Sequence, residues 1–409
     1  MRGFQNRQTV AAVARLLAER TSVLGTEKID LKSASGRVLA ESVTAEFAVP
    51  GFRRSAMDGY ALRGEETFSA GEYNASEFEV VGEVLPGRPF TGEVQKGEAV
   101  RIMTGSPVPA GADSVLQAEA AEEILRPGTN PLLKVTAPIA PGKNVGQVGE
   151  DIAEGTIVLS RGRVLRPQDV GVLASIGASP VSVVCQPRVR ILVTGNELLP
   201  CGSKPQGYQI VDSNSVMLAA LARRDGAIVS EAQMVGDDPE AIKNAITKSN
   251  EDVLLVSGGS SVGVEDHAPR LVAQLGELPV HGVALRPASP TGVGFVADRV
   301  IFLLPGNPVS CLCAYDLFAG PTLRRLGGRD PEMPYRRIQL PLTRKIVSAI
   351  GRTDYARVRM TEGGLEPLGI SGASILSSTT RADGFVIVPM ESEGYPPGAE
   401  VEVHLYDQA

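Results

Sequence analysis

From about residue 187 to residue 328 the chain switches repeatedly between two hydrophobic periods, and this rhythm limits the available folds. RVRILVTG has a buried-strand pattern, with the apolar run Ile191 to Val193 following two arginines that alternate with Val189. DSNSVMLAALARRDG follows with helical spacing, a polar start and a Gly stop. AIVSEAQMV reads as a strand, and DPEAIKNAITKS opens a helix with Asp238 as cap and Pro239 at the first helical position. VLLVSGG and VIFLLPG read as further strands, and NPVSCLCAYDLFAGPTLRRL as one long helix. Strands alternating with helices need a parallel or mixed sheet covered on both faces. Such sheets bind ligands at the carboxyl ends of their strands.

The rest of the chain has a different texture. At roughly 150 residues per domain, 409 residues make about two to four domains. Thr9 caps a predicted helix in which Val10, Val13, Leu16 and Leu17 share a face. KIDLKSASGRVLAESVTA alternates like strands broken at Gly36. Residues 51–148 carry short Val-rich runs between Gly and Pro, the pattern of a β-rich module. A Pro-initiated helix, PQDVGVLASI, is predicted to end at Gly177. After residue 329 only short strand patterns are predicted, giving a small all-β module.

Composition excludes several classes. Forty basic against 47 acidic residues give a net charge of −7, the wrong sign for a nucleic-acid scaffold. With 43% hydrophobic and 21% charged residues the chain can bury a substantial core. No apolar run reaches the roughly 20 residues of a membrane helix. The start, MRGFQNRQTV, has no apolar secretory segment, so the expected location is cytoplasmic. Cys185, Cys201, Cys311 and Cys313 form no C-x-x-C pair, and His267, His281 and His404 are scattered, which argues against structural zinc.

Three predicted strand ends carry unusual loops: Thr194 to Leu198 (TGNEL), Ser257 to Gly263 (SGGSSVG) and Leu304 to Ser310 (LPGNPVS). Glycine lets backbone approach an anion, and N–H groups there can cradle phosphate. One such loop is an ordinary turn; three in one module point to a phosphate or nucleotide site, although none is a P-loop or a dinucleotide fingerprint. Glu197, Asp237 and Asp266 lie beside these loops, as oxygen ligands for Mg²⁺ or as helix caps. PGFRRSAMDGYAL contains Asp58 in what is either an ordinary Asp–Gly turn or a site, and RIMTGSPVPAGADSV offers the hydroxyl of Thr104 in either a rigid connector or a site.

Taken in order, SAMDGYA, RIMTGSPVPAGAD, GED followed by Ile152, TGNEL, SGGSSVG with Asp266, and LPGNPVS resemble the molybdopterin molybdenumtransferases (MoeA), seen also as the E domain of gephyrin. The resemblance runs from about residue 8 to the C-terminus. It implies a multidomain α/β plus β fold: a discontinuous elongated domain of residues 1–50 and 149–186, a β-rich insertion domain of residues 51–148, an α/β molybdopterin-binding domain of residues 187–328 and a C-terminal β-barrel of residues 329–409. It implies an elongated homodimer whose cleft draws on both subunits. The implied reaction takes adenylylated molybdopterin and molybdate, cleaves the phosphoanhydride, releases AMP and leaves molybdenum on the dithiolene, with Mg²⁺ assisting. Contact with the adenylyltransferase that makes the substrate is a further implied partnership.

By matching motif, the reaction residues are Asp58, Thr104, Asp151, Glu197, Asp237 and Asp266, with Asp58, Asp237 and Asp266 for Mg²⁺. Substrate falls to Ser257, Gly258, Gly259, Ser260 and Gly263, and to Pro305, Gly306, Asn307 and Pro308. Arg286, Arg352 and Ser374 match positions implied to contact the oxyanion; a guanidinium fork suits a tetrahedral dianion. One segment departs from the pattern. The family has K-P-G-K-P where this chain has Arg286-Pro287-Ala288-Ser289-Pro290, so Ser289 removes one positive charge. The alternative function is therefore a paralogue of the same fold that binds molybdopterin or a partner without turnover.

Overall fold

The computed structural model describes residues 7–259, 266–369 and 372–406. The expected substrate residues Ser260 and Gly263 lie outside them. The chain divides into two compact units: one contains the residues up to Lys28, Gly36–Ala40 and the chain from Ser182 onward; the other contains Ile29–Ser35 and Glu41–Val181.

The first unit is built on a mixed sheet in the order Ile228–Val229, Arg188–Thr194, Val253–Ser257, Arg299–Leu304, Gly292–Val296, Glu277–His281. The first four strands run parallel, Gly292–Val296 runs antiparallel to them, and Glu277–His281 pairs antiparallel with it and so runs with the first four. The strand Gln233–Val235 also pairs parallel with Arg188–Thr194. Successive residues alternate between two cores. Val189, Ile191, Val253, Leu255 and Phe302 join a core with the helices Val10–Arg20 and Asn214–Arg224. Leu192, Leu254, Val256 and Ile301 join another with the helices Pro239–Thr247 and Ala268–Leu275. Burial on both faces is why these strands read as continuous apolar runs. The register sets Val193 beside Ser257 and Ser257 beside Leu304, so three parallel strands finish level.

Helix ends follow their local chemistry. Thr9 accepts a hydrogen bond from the Ala12 N–H at 3.1 Å, and Asp238 accepts from the N–H groups of Glu240 and Ala241. The expected single helix after LPGN is not uniform: Pro308–Ala314 passes through a π-helical stretch, Tyr315–Ala319, into Gly320–Leu326. Pro321 has no N–H to give the preceding turn, and the ladder widens there.

The C-terminal strands form a second sheet in the order Leu285–Arg286, Thr353–Thr361, Gly384–Val388, Glu400–Leu405, Arg336–Pro341, with Gly364–Gly369 also paired to Thr353–Thr361. A bridge from Leu342 to Leu365 and the Thr343 N–H donating to the Leu365 carbonyl at 2.8 Å connect its ends. The helix-free expectation for this region is corrected by one turn, Ser377–Thr380. The strand Leu285–Arg286 leaves the α/β stretch to pair parallel here, which places Arg286 opposite Asp354.

The second unit carries a six-stranded sheet in the order Ser114–Gln117, Gly59–Leu62, Glu98–Ile102, Ser76–Val84, Leu132–Val135, Ala121–Ile124. Gly59 is required: a Cβ there would stand 1.8 Å from the Leu116 carbonyl oxygen. The run from Lys28 gives less strand than expected. After Thr26–Ile29, the Asp30 carboxylate accepts from the Lys32 N–H at 2.8 Å and turns the chain into a 3₁₀ helix, Leu31–Ser33. The helix Pro167–Ser175 stops at Gly177, whose φ is +69°.

Candidate active site

At the level ends of the parallel strands lies a cavity of about 730 Å³. Its floor depends on close backbone packing. Gly258 has φ +94°, and a Cβ there would stand 2.4 Å from the Thr194 carbonyl oxygen. Glu197, Asp237 and Asp266 all line this cavity. Two loops are tied reciprocally: the Asn196 N–H donates to Asp237 Oδ2 at 3.1 Å, and the Asp237 N–H donates to Asn196 Oδ1 at 3.2 Å. Ser257, Gly258 and Gly259 form one edge; Pro305, Gly306, Asn307 and Pro308 form another, with Ser374 reaching the rim.

Three lining residues carried no functional assignment in the sequence. Asn214 is 6% exposed, and its amide nitrogen donates to Ser257 Oγ and to the Gly306 carbonyl, each at 2.8 Å. One side chain thus joins two of the loops. Asp212 accepts from the N–H groups of Asn214 and Ser215 and from the Ser215 hydroxyl, which fixes the start of that helix. Thr194 Oγ1 is buried without a hydrogen-bond partner, as is Asn214 Oδ1. For Asp212 and Asn214 the DSN string held the only signal, and its pattern reads equally as a plain helix cap; Thr194 opens the TGNEL loop.

A neighbouring cavity of about 360 Å³ is lined by Arg7, Arg286, Ser289 and Arg352, among others. It shares Pro290, Pro305 and Asn307 with the first. Arg286 Nε donates to Asp354 Oδ1 at 3.0 Å, and its terminal nitrogen donates to Asp354 Oδ2. Arg352 Nε lies 3.3 Å from the same Oδ1. Two of the expected oxyanion residues, Arg286 and Arg352, therefore meet in one pocket, while Ser374 lines the other.

Asp58 and Thr104 pair within the second unit. Thr104 donates to Asp58 Oδ1 through its hydroxyl at 2.7 Å and its N–H at 2.6 Å. These two bonds, the hydroxyl's first, hold the Asp58 carboxyl below its ordinary range. Thr104 lines a hollow of about 400 Å³ with Arg54, Asn144 and Glu150. Asp151 is exposed on a loop where its N–H donates to the Val49 carbonyl at 3.2 Å. Among the described residues no three His, Cys, Asp or Glu side chains gather as a metal site.

No helix among the described residues is long and apolar enough to cross a membrane. Residues 7–177 match the MoeA N-terminal region (domain I and II), residues 190–325 the probable molybdopterin binding domain, and residues 339–406 the MoeA C-terminal region (domain IV). The chain is 33% identical to molybdopterin molybdenumtransferase 2 of Mycobacterium tuberculosis, over 98% of this chain and 99% of that protein. It is 30% identical to a molybdopterin molybdenumtransferase of Staphylococcus aureus, over 96% and 94%. Two solved structures of the molybdopterin biosynthesis MoeA protein from Pyrococcus horikoshii superpose with TM-scores of 0.83 and 0.77 at 32% identity, covering 99% and 98% of this chain and all of theirs. With relatives matched along nearly their whole length, the chain belongs to the MoeA family of molybdopterin molybdenumtransferases, proteins of molybdenum cofactor biosynthesis.

Proposed function

We propose that this protein is a molybdopterin molybdenumtransferase: it takes adenylylated molybdopterin and molybdate, breaks the phosphoanhydride, releases AMP and leaves molybdenum on the dithiolene. The observation that carries this reading is the pair of cavities with a common wall, one lined by carboxylates and one by arginines. The larger one, at the strand ends, suits the pterin nucleotide, with backbone N–H groups of the Ser257 and Leu304 loops near its phosphates. The smaller one suits molybdate, a tetrahedral dianion, through Arg352 and Arg286.

Mg²⁺ fits the larger cavity when substrate oxygens supply most of its shell, because that ion needs only one or two protein carboxylates beside phosphates and water. Asp237 and Asp266 would hold it, and it would neutralise charge developing on the phosphoanhydride oxygens. Asp237 is oriented for this by the Asn196 N–H, which occupies one of its oxygens and leaves the other free of that bond. The homodimer, the four-domain division, the contribution of Asp58, Thr104 and Asp151 and a cytoplasmic location are parts of the same proposal.

The test is incubation of purified protein with adenylylated molybdopterin, Mg²⁺ and molybdate, followed by an AMP assay. Molybdate-dependent AMP release is the expected result. Tight binding of the nucleotide with no AMP release would assign the chain to the non-catalytic alternative that Ser289 raises. Light scattering of the same sample is expected to give twice the chain mass.

A further inference from the structure

The arginine-lined pocket holds three guanidinium groups against one buried carboxylate. Asp354 is fully buried and receives both Arg286 and Arg352. Those three side chains together leave one net positive charge. Molybdate carries two negative charges, so the trio alone leaves it half compensated. Ser289, on the same wall, brings no charge.

Arg7 lines this pocket too, and no carboxylate among the described residues pairs with it. Its place is set by backbone. The Gln8 N–H donates to the Gly282 carbonyl at 3.1 Å, and the Ala284 N–H donates to the Gln8 carbonyl at 2.8 Å. The Gln8 side-chain amide also donates to the Pro279 carbonyl at 2.8 Å. The Val283 N–H in turn donates to the Ser289 carbonyl at 2.9 Å. These bonds hold the residue next to Arg7 against the segment Gly282 to Ala284, which is in turn bonded to Ser289 of the Pro287–Pro290 wall. Arg7 is itself exposed, so its guanidinium is free to meet an incoming anion.

We propose that Arg7 is an oxyanion-binding residue that supplies the second positive charge of this pocket. The inference rests on reading the pocket as the molybdate site. It assigns a functional role to an arginine far in sequence from every glycine-rich loop. It also accounts for a pocket without a cation at Ser289.

The experiment uses the full-length protein and calorimetric titration with molybdate alone, on wild type, Arg7→Gln, Arg7→Lys and Arg352→Gln, with melting temperatures alongside. Loss of one charge-assisted bond is expected to weaken binding about tenfold or more in Arg7→Gln. Arg7→Lys should retain most of the affinity, and all melting temperatures at position 7 should match wild type. If Arg352→Gln weakens binding and Arg7→Gln does not, the role of Arg7 is overturned while the pocket keeps its assignment. If neither variant weakens binding, the pocket is not the molybdate site and both readings fall. An Arg7→Lys variant as weak as Arg7→Gln overturns the argument from charge.

Discussion

One side of the wall formed by Pro290, Pro305 and Asn307 carries Glu197, Asp237 and Asp266; the other carries Arg7, Arg286 and Arg352. The acidic side is made from loops that end neighbouring parallel strands, so each piece is a short contiguous motif. The basic side is gathered from the N-terminal segment, the Arg286–Pro290 segment and the strand region around Arg352. An acidic cavity repels a bare oxyanion, and an arginine pocket repels a divalent cation. The two sides can therefore hold a divalent cation, with the phosphates it neutralises, and a separate oxyanion a short distance apart.

That division of labour puts the largest effect on the acidic side. Asp237→Asn and Asp266→Asn should lower AMP release roughly a hundredfold or more, with little change in melting temperature or in molybdate titration. A variant that lost AMP release and molybdate affinity together would break the comparison. Next comes Asn214→Ala. It removes both bonds that join the Ser257 and Gly306 loops and leaves their oxygens unsatisfied, at a cost of about 2–3 kcal/mol. Denaturant unfolding would show a lower midpoint at constant slope; an unchanged midpoint would deny Asn214 its joining role.

On the basic side, Ser289→Lys should tighten molybdate binding about tenfold, since a buried, unpartnered hydroxyl gives way to a cation on the pocket wall. Unchanged affinity would mean that this wall does not face the oxyanion. The smallest effect concerns an acid that lines neither cavity. Burial raises the Asp316 carboxyl to about 6, against Arg224 and the hydroxyls of Tyr335 and Tyr355, which favour its charged form. Because the folded value lies above the ordinary one of about 3.9, the stabilising contribution is full below that value and is lost as pH rises through about 6. Asp316→Asn should flatten the stability profile across that window and leave AMP release unchanged. A profile still sloping as in wild type would assign the slope to other groups.

The α/β rhythm was readable because strands buried on both faces are apolar along most of their length, as Val253, Leu254, Leu255 and Val256 are. The loops beside Glu197, Asp237 and Asp266 were readable for a related reason: Gly258 holds a conformation and a packing distance that other residues resist. The basic pocket was only half readable. Arg286 meets Arg352 because the strand Leu285–Arg286 leaves one sheet for another and pairs with Thr353–Asp354, a register no local pattern encodes. Arg7 arrives through the bridge of Gln8 to Val283, pairing distant parts of the chain. Asn214 hid in plain composition, since a polar residue at a helix start reads as part of a cap until the partners of its side chain, Ser257 and Gly306, are known.

The dividing wall has an electrical character of its own. Proline has no amide hydrogen, so Pro290 and Pro305 present neither cavity with a backbone donor, and Asn307 is the only one of the three with a polar side chain. Such a partition resembles the thin insulating layer of a capacitor, with carboxylate and guanidinium plates on its two faces. The sign of the charged side chains then changes from one face of this wall to the other. An oxyanion settling among the arginines feels a barrier at the wall itself, and a cation held by the acids feels the mirror image of that barrier.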